Sequence, residues 1–312
     1  MAFTNASGYQ NLAQGNFTPQ IFSQKVQKFF RRASVVEDIT NTDYAGEIEN
    51  FGDTVKIIKE PTITVKDYAR GQTVDTQVLA DDQITMTVDQ GSYFAFKVDD
   101  IEERQSHVNF EALATSSGAY SLKKAYDYNV LKFIYDNAST SASDTGTDGS
   151  PIDGDAAVDT LANVVSSAKK VLDKNDVPEE NRWLVAPPEF FQQLRKAGAK
   201  LSDQSVMADG GSSQIRNGMV TDRPLFGFNM YQSNAIAVSG GSAANHTFGS
   251  SGSNEFAFLY GHMSGVATVN HIAKTELIRD PDSFADVVRG LPVYGRKILR
   301  SEAVQRGVIT IG

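Results

Sequence analysis

The chain contains no cysteine, which removes several chemistries at once. Disulfide scaffolds, thiolate nucleophiles and Cys-based zinc sites are excluded. Histidine is scarce: His107, His246, His262 and His271 complete the set. None lies in HExxH or four residues from another, so the zinc-hydrolase signature is missing. No apolar run approaches the roughly 18 residues needed to cross a membrane as a helix. The opening MAFTNASGYQNLAQGNFTPQ lacks the apolar core of a signal peptide. Bases are outnumbered, 29 Lys and Arg against 38 Asp and Glu, for a formal net charge of −9. That balance disfavours broad binding to nucleic acid or anionic membrane and favours solubility. The reading is a soluble protein of a cytoplasm-like compartment.

Catalytic motifs are missing too. No serine lies in GxSxG. Gly210-Gly211 and Gly240-Gly241 are not followed by Lys-Ser/Thr, and neither fits a GxGxxG phosphate cradle. The acid pairs Asp81-Asp82, Asp99-Asp100 and Glu102-Glu103 are sequence neighbours. Adjacent side chains point in different directions, so these pairs suit capping and solvation rather than a catalytic dyad. Asp144, Asp148, Gly149 and Asp155 fall at positions 1, 5, 6 and 12 of a calcium loop. Gly146 stands where a ligand is wanted, and Asp155 replaces the bidentate Glu, so an ordinary linker is the better reading. The expectation is no catalytic residue, no cofactor and no metal.

The 312 residues, 40% of them hydrophobic, suffice for a sizeable core. Residues 1–17 are rich in Asn, Gln, Ala and Gly and read as a mobile arm. Thr18-Pro19 then signals a helix start. Phe22, Val26, Phe29 and Phe30 share one face of that helix, and Lys25, Lys28, Arg31 and Arg32 make it basic. From Gly52 to Val98 two β-runs flank a polar turn. In TVKIIKEPTITVKDY, Val55, Ile57, Ile63 and Val65 alternate with polar residues. QITMTVDQGSYFAFKV carries Ile84, Met86 and Val88, then Phe94, Phe96 and Val98. Period-two alternation predicts strands with one apolar face. Pro61 donates no ladder hydrogen bond and argues for an edge or bulge. Arms of roughly 15 residues at about 3.3 Å each reach about 50 Å. A two-stranded ribbon of that length cannot bury its own apolar face, so something else must cover it.

A helix is predicted from about Asn109 to Asn137, with Leu122, Ala125, Tyr126, Asn129, Val130 and Phe133 at helical spacing. STSASDTGTDGS (139–150) reads as a low-complexity linker and the clearest boundary in the chain. Val158, Leu161, Ala162, Val165, Ala168 and Leu172 then mark a helix, RWLVA (182–186) a buried strand, and Pro187-Pro188 the start of another helix. PLFGFNMYQSN, FAFLYG and GVATVN read as strands, as do Ile272–Arg279, Leu291–Arg300 and Val308–Ile311.

The order of these parts is distinctive: mobile arm, basic helix, long hairpin, long helix, mixed region, terminal strands. It resembles the major capsid protein of tailed bacteriophages, the Hong Kong 97-type fold, over nearly the whole chain. The segment TELIRDPDSFADVVRGLPVYGRKILR (275–300) is the most similar stretch. The resemblance implies an α+β fold with an amino-terminal arm (1–50), an extended β-hairpin loop (51–98), and a long spine helix with its linker in a peripheral domain (99–150). An axial domain (151–270) and terminal strands returning to both domains (271–312) complete it. It implies a structural, non-enzymatic subunit that assembles itself into hexamers and pentamers of an icosahedral head. That shell would enclose double-stranded DNA without reading its sequence, assemble in the host cytoplasm and persist in the virion. Scaffolding and portal proteins are implied partners, a cement protein is a further one, and no membrane takes part. Contacts between subunits are expected at Phe22, Val26, Phe29, Arg31 and Arg32 on the arm helix. They are also expected at Lys56, Lys66, Tyr68, Arg70 and Gly71 on the hairpin, and at Arg279 and Arg289 near the carboxyl end. Two rival readings are an encapsulin-like compartment, which shares the fold but holds cargo enzymes, and a two-domain α+β hydrolase.

Overall fold

Five consecutive buried residues, Arg182–Ala186, lie at the heart of the larger of two main sheets. The structure, a computed structural model, describes residues 34–44, 54–99 (except 62, 75 and 79–82), 110–154, 160–194, 226–236 and 240–311 (except 251, 253 and 282). A single helical turn, α1 (Val36–Ile39), precedes β1 (Thr54–Ile58), β2 (Gln83–Thr87), β3 (Gln90–Gly91) and β4 (Phe94–Asp99). The long helix α2 (Phe110–Asn137) leads to β5 (Ser139–Thr140), β6 (Ile152–Asp153), helix α3 (Thr160–Lys174), β7 (Arg182–Ala186) and helix α4 (Pro188–Leu194). The strands β8 (Asn229–Gln232), β9 (Glu255–His262), β10 (Val266–Arg279), β11 (Ala285–Ile298) and β12 (Val304–Thr310) follow.

The six-stranded sheet runs β5–β12–β9–β7–β8, with β6 pairing further along the same β12. Its central strands are apolar on both faces, as a sheet covered on both sides requires. Trp183, Val185, Ala257, Leu259, Val304 and Val308 point to one side, where Val130, Leu131 and Ile134 of α2 cover them. Leu184, Ala186, Phe256, Phe258, Tyr260 and Ile309 point to the other, under Leu161, Val165, Ala168 and Leu172 of α3 and Phe190, Phe191 and Leu194 of α4. The spacing that predicts these two shorter helices therefore finds its partner in the alternation of the strands between them.

In the four-stranded sheet β10 pairs β11, and both β3 and β4 pair the far side of β11. α2 crosses both sheets, and this rotates its buried stripe from the sequence expectation. Tyr126, Asp127, Val130, Leu131, Ile134 and Tyr135 are buried, whereas Leu122, Asn129 and Phe133 are only half-buried. The latter flank carries polar ties to β11. Asn129 donates to the Tyr294 hydroxyl at 2.7 Å, and the Arg296 guanidinium lies 4.9 Å over the Phe133 ring.

Asp127 holds the start of the described chain. Only 1% exposed, its Oδ1 accepts from Ser34 Oγ at 2.9 Å and from the Val35 and Val36 amides at 3.2 Å. It caps α1 from 91 residues away, with Val36 and Ile39 buried beneath α2. Asp127→Ala strands two buried amides, and a lost cap of this kind costs about 2 kcal/mol. Thermal melting of the subunit checks that loss.

Three expectations need correction. The second β-run is not one strand. It breaks after Thr87: β2 stays with β1, while β3 and β4 cross to β11. The break lets Phe94 fill a slot between α2 and β11, where a Cβ on Gly118 or Gly290 would lie 3.0 or 2.5 Å from its ring. The 139–150 segment is not a linker, since β5 and β6 zip its two sides onto β12. The boundary expected at 270 falls inside β10, which runs unbroken from Val266 to Arg279, although its register shifts between Ile272 and Lys274.

Candidate functional site

The hairpin is longer than its strands. β1 and β2 pair in register from Thr54↔Thr87 to Ile58↔Gln83. Counting on one for one places Thr64 opposite Gln77 and Ala69 opposite Gln72. Both pairs touch: the Thr64 amide donates to Gln77 Oε1 at 3.0 Å and the Ala69 amide to Gln72 Oε1 at 3.2 Å. The Gln72 amide returns a bond to the Ala69 carbonyl at 3.0 Å. Gly71, at φ +90°, makes the turn, a backbone state glycine reaches at no steric cost. The strand ladder stops at Ile58, three residues before Pro61, and further out these two pairs keep the same register count.

This register sorts the side chains by face. Val55, Ile57, Ile84 and Met86 share one face near the root, and the same parity puts Ile63, Val65, Val74 and Val78 on it further out. At the root that face is covered: Met86 and Val88 are buried against Ala267, Val269 and Val293. Beyond the root it is bare, with Ile63 69%, Val74 71%, Val78 92% and Val65 93% exposed. Monomers rarely leave a contiguous apolar strip open, and strips of this kind mark interaction surfaces.

A second feature lies at the hairpin's root. The amino-terminal half of α2 and strands β4 and β11 enclose a cleft of about 280 Å³. Phe94, Leu122, Tyr126, Leu291, Pro292 and Tyr294 line it, and Glu37 and Lys123, 3.5 Å apart, stand at its rim. The Tyr126 and Tyr294 rings meet edge-on at 5.1 Å. Burial pushes the Tyr126 hydroxyl above its usual range, against an opposing hydrogen bond to Thr268.

The expected contact residues divide among these places. Lys56 sits on the outward face of β1, and Lys66, Tyr68, Arg70 and Gly71 occupy the exposed outer hairpin and its turn. Arg279 and Arg289 are on the other sheet, in cross-strand ion pairs with Asp286 (3.1 Å) and Glu276 (2.5 Å) of their own chain. Phe22, Val26, Phe29, Arg31 and Arg32 lie outside the described residues. Sequence reasoning chose the charged hairpin residues and passed over the valines that carry the open face. Alternation already listed Ile63 and Val65; Val74 and Val78 needed the register. Two carboxylates of the calcium-loop pattern have cationic neighbours, and the third, Asp155, lies outside the described residues. Asp144 pairs with Lys170, whose hydrogen bond holds its carboxyl below the usual range, and Asp148 pairs with Arg306 at 3.0 Å.

One half-buried histidine makes stability depend on pH. At the end of β9, His262 Nδ1 accepts from the Ser264 amide at 3.1 Å. Burial holds its pKa below the ordinary imidazole value; a hydrogen bond to the Glu180 backbone opposes this, and Arg182 and Arg300 add to the lowering. The fold thus favours the neutral ring. Its contribution to stability is complete above the unfolded value of about 6.5 and is lost as pH falls through the folded value. His262→Gln is expected to flatten the melting-temperature profile between about pH 5 and 7.

The whole architecture has known counterparts. The phage capsid protein family matches residues 81–307, nearly three quarters of the sequence. The chain belongs to that family. A structure of Mycobacterium phage Che8 is 28% identical, with 94% of this chain and 98% of that one aligned at a TM-score of 0.75. The capsid of cyanophage P-SCSP1u aligns over 93% and 92% at 0.67 with 17% identity, and a structure of Gordonia phage Cozz over 99% and 97% at 0.68 with 13% identity. No curated protein sequence matches. The capsid protein has the Hong Kong 97-type α+β fold expected of it, and it is a structural subunit of a bacteriophage head shell. The encapsulin-like and hydrolase alternatives give way to this assignment. The open hairpin is then a surface of a molecule whose relatives form shells.

Proposed function

We propose that the capsid protein closes its shell by laying the hairpin's apolar face across a neighbouring copy, with no catalytic step. The observation that carries this reading is the strip Ile63, Val65, Val74 and Val78, exposed on a face whose root is buried. Covering a Val or Ile side chain gains about 1.5–3 kcal/mol, so four give roughly 6 kcal/mol or more before ordering is counted. Repeated around hexamers and pentamers, contacts of that size hold a shell without covalent bonds.

The arm residues Phe22, Val26, Phe29, Arg31 and Arg32 contact another subunit in this reading, and Arg279 and Arg289 contribute from the β10–β11 sheet. Scaffolding and portal proteins guide assembly in the host cytoplasm, and a cement protein binds outside. The acidic balance of the chain supports a lining that encloses double-stranded DNA without gripping it. Electron microscopy of the purified protein, with scaffold supplied, tests the proposal. Closed shells are expected. Monomers and dimers alone under all assembly conditions refute it.

A further inference from the structure

The cleft between α2 and β11 is held open by its own walls. Three rings form much of it, and each is pinned from outside the space it lines. Phe94 is wedged between Gly118 and Gly290, where a Cβ on either glycine would lie 3.0 or 2.5 Å from its ring. The Tyr294 hydroxyl accepts from Asn129 at 2.7 Å, and the Tyr126 hydroxyl is hydrogen-bonded to Thr268. The two tyrosine rings, both buried, meet edge-on at 5.1 Å and 89° as a fixed corner. None of the three turns inward to fill the space without breaking a packed contact or a buried bond. About 280 Å³ therefore stays open along an aromatic and aliphatic lining.

We propose that this cleft binds a small aromatic zwitterion, of the class of the free aromatic amino acids. The body of the ligand follows from the walls. An apolar cavity of about 150 Å³ already takes a benzene-sized molecule. The larger space here suits a two-ring system such as indole, and a ring set against a perpendicular pair extends their edge-to-face packing. The head group follows from the rim. Glu37 and Lys123 stand there 3.5 Å apart, with side chains 63% and 53% exposed. An ion pair this open is worth little, so its two members separate readily. The Glu37 carboxylate then receives an ammonium, and the Lys123 ammonium receives a carboxylate. A ligand carrying a single charge meets one of the two as a like charge. Glu37 belongs to α1, Lys123 and Tyr126 to α2, Phe94 to β4 and Tyr294 to β11. A bound ligand therefore ties α1 and α2 to the four-stranded sheet and stabilises the subunit.

Calorimetric titration and thermal melting of the purified subunit test this, with L-tryptophan as the probe. Tryptamine, which lacks its carboxylate, and indole-3-propionate, which lacks its ammonium, are the comparisons. A ligand of this size in a preformed apolar site is expected to bind with a Kd of about 1 mM. At about 10 mM tryptophan the melting temperature is then expected to rise by about 3 °C. Tryptamine and indole-3-propionate are each expected to bind about fivefold more weakly. Glu37→Gln is expected to weaken tryptophan by the same factor without weakening indole-3-propionate. Lys123→Gln is expected to weaken tryptophan without weakening tryptamine. Leu122→Trp on α2, or Leu291→Trp on the opposite wall, fills the cleft and is expected to abolish binding; either variant that melts cooperatively serves. No binding of tryptophan at that concentration, or binding kept in a folded filling variant, overturns the site. Equal affinity for all three compounds overturns the zwitterion. None of these readings needs assembled shells, so failure here is distinct from failure of the hairpin contact.

Discussion

Val65→Asp combined with Val78→Asp is expected to leave a folded subunit that no longer forms shells. Both side chains are more than 90% exposed, so neither supports the fold of the isolated chain. Surface changes of this kind stay within about 0.5 kcal/mol, which moves the melting temperature by about 2 °C at most. In the proposed shell contact the same positions are covered by a neighbour. Each contact then loses the burial of two valines, about 3 kcal/mol, and meets two carboxylates that resist desolvation. A weakening of about 4 kcal/mol is roughly a thousandfold per contact, and each subunit contributes such a contact. Sedimentation and electron microscopy read the result. Normal shell yield from a doubly charged hairpin would falsify the clamp. Lys56→Ala is the useful contrast, because it changes a single charged contact on the outward face near the root and is expected to weaken assembly far less.

Why was the hairpin legible before the structure, and its exact course not? Alternation at Val55, Ile57, Ile63 and Val65 is a local signal of period two, and it survives wherever one face is apolar. The break after Thr87 has no such local mark. Phe94, Phe96 and Val98 keep the alternation of Ile84, Met86 and Val88, so the sequence reads straight through while the chain changes partner from β1 to β11. Strand pairing is a long-range choice, made here by a phenylalanine finding glycines on two other elements. The long helix poses the same problem in another form. Its extent was readable to within a residue, but its buried stripe was not, because it faces two sheets and a single-face pattern assumes one. For the site, the turn at Arg70 and Gly71 was evident from composition. The cleft was hidden, since its walls come from segments more than 150 residues apart and no spacing rule joins them.

The 139–150 stretch misled for a different reason, and one substitution exposes it. Ser, Thr, Gly and Asp make flexible linkers, but they also make tight turns whose backbones pack closely. Gly146 sits at φ +77°, and a Cβ there would lie 2.2 Å from the Val308 carbonyl oxygen and 3.0 Å from the Ile152 amide nitrogen. Next to it the buried Thr145 carbonyl accepts from the Val308 amide at 3.0 Å, and the Tyr260 hydroxyl reaches Thr145 Oγ1 at 3.3 Å. Gly146→Val therefore puts a β-branched residue in the left-handed region and drives it into main chain that no rotamer can move aside. Backbone strain of about 1–3 kcal/mol and the loss of buried hydrogen bonds together come to about 4 kcal/mol. The melting temperature is expected to fall by about 10 °C. Gly149, three residues on, has a negative φ and open space around its would-be Cβ. Gly149→Val is expected to melt within about 2 °C of the parent. A true linker would tolerate both substitutions alike, so equal melting temperatures for the two variants would return this segment to the role its composition suggests.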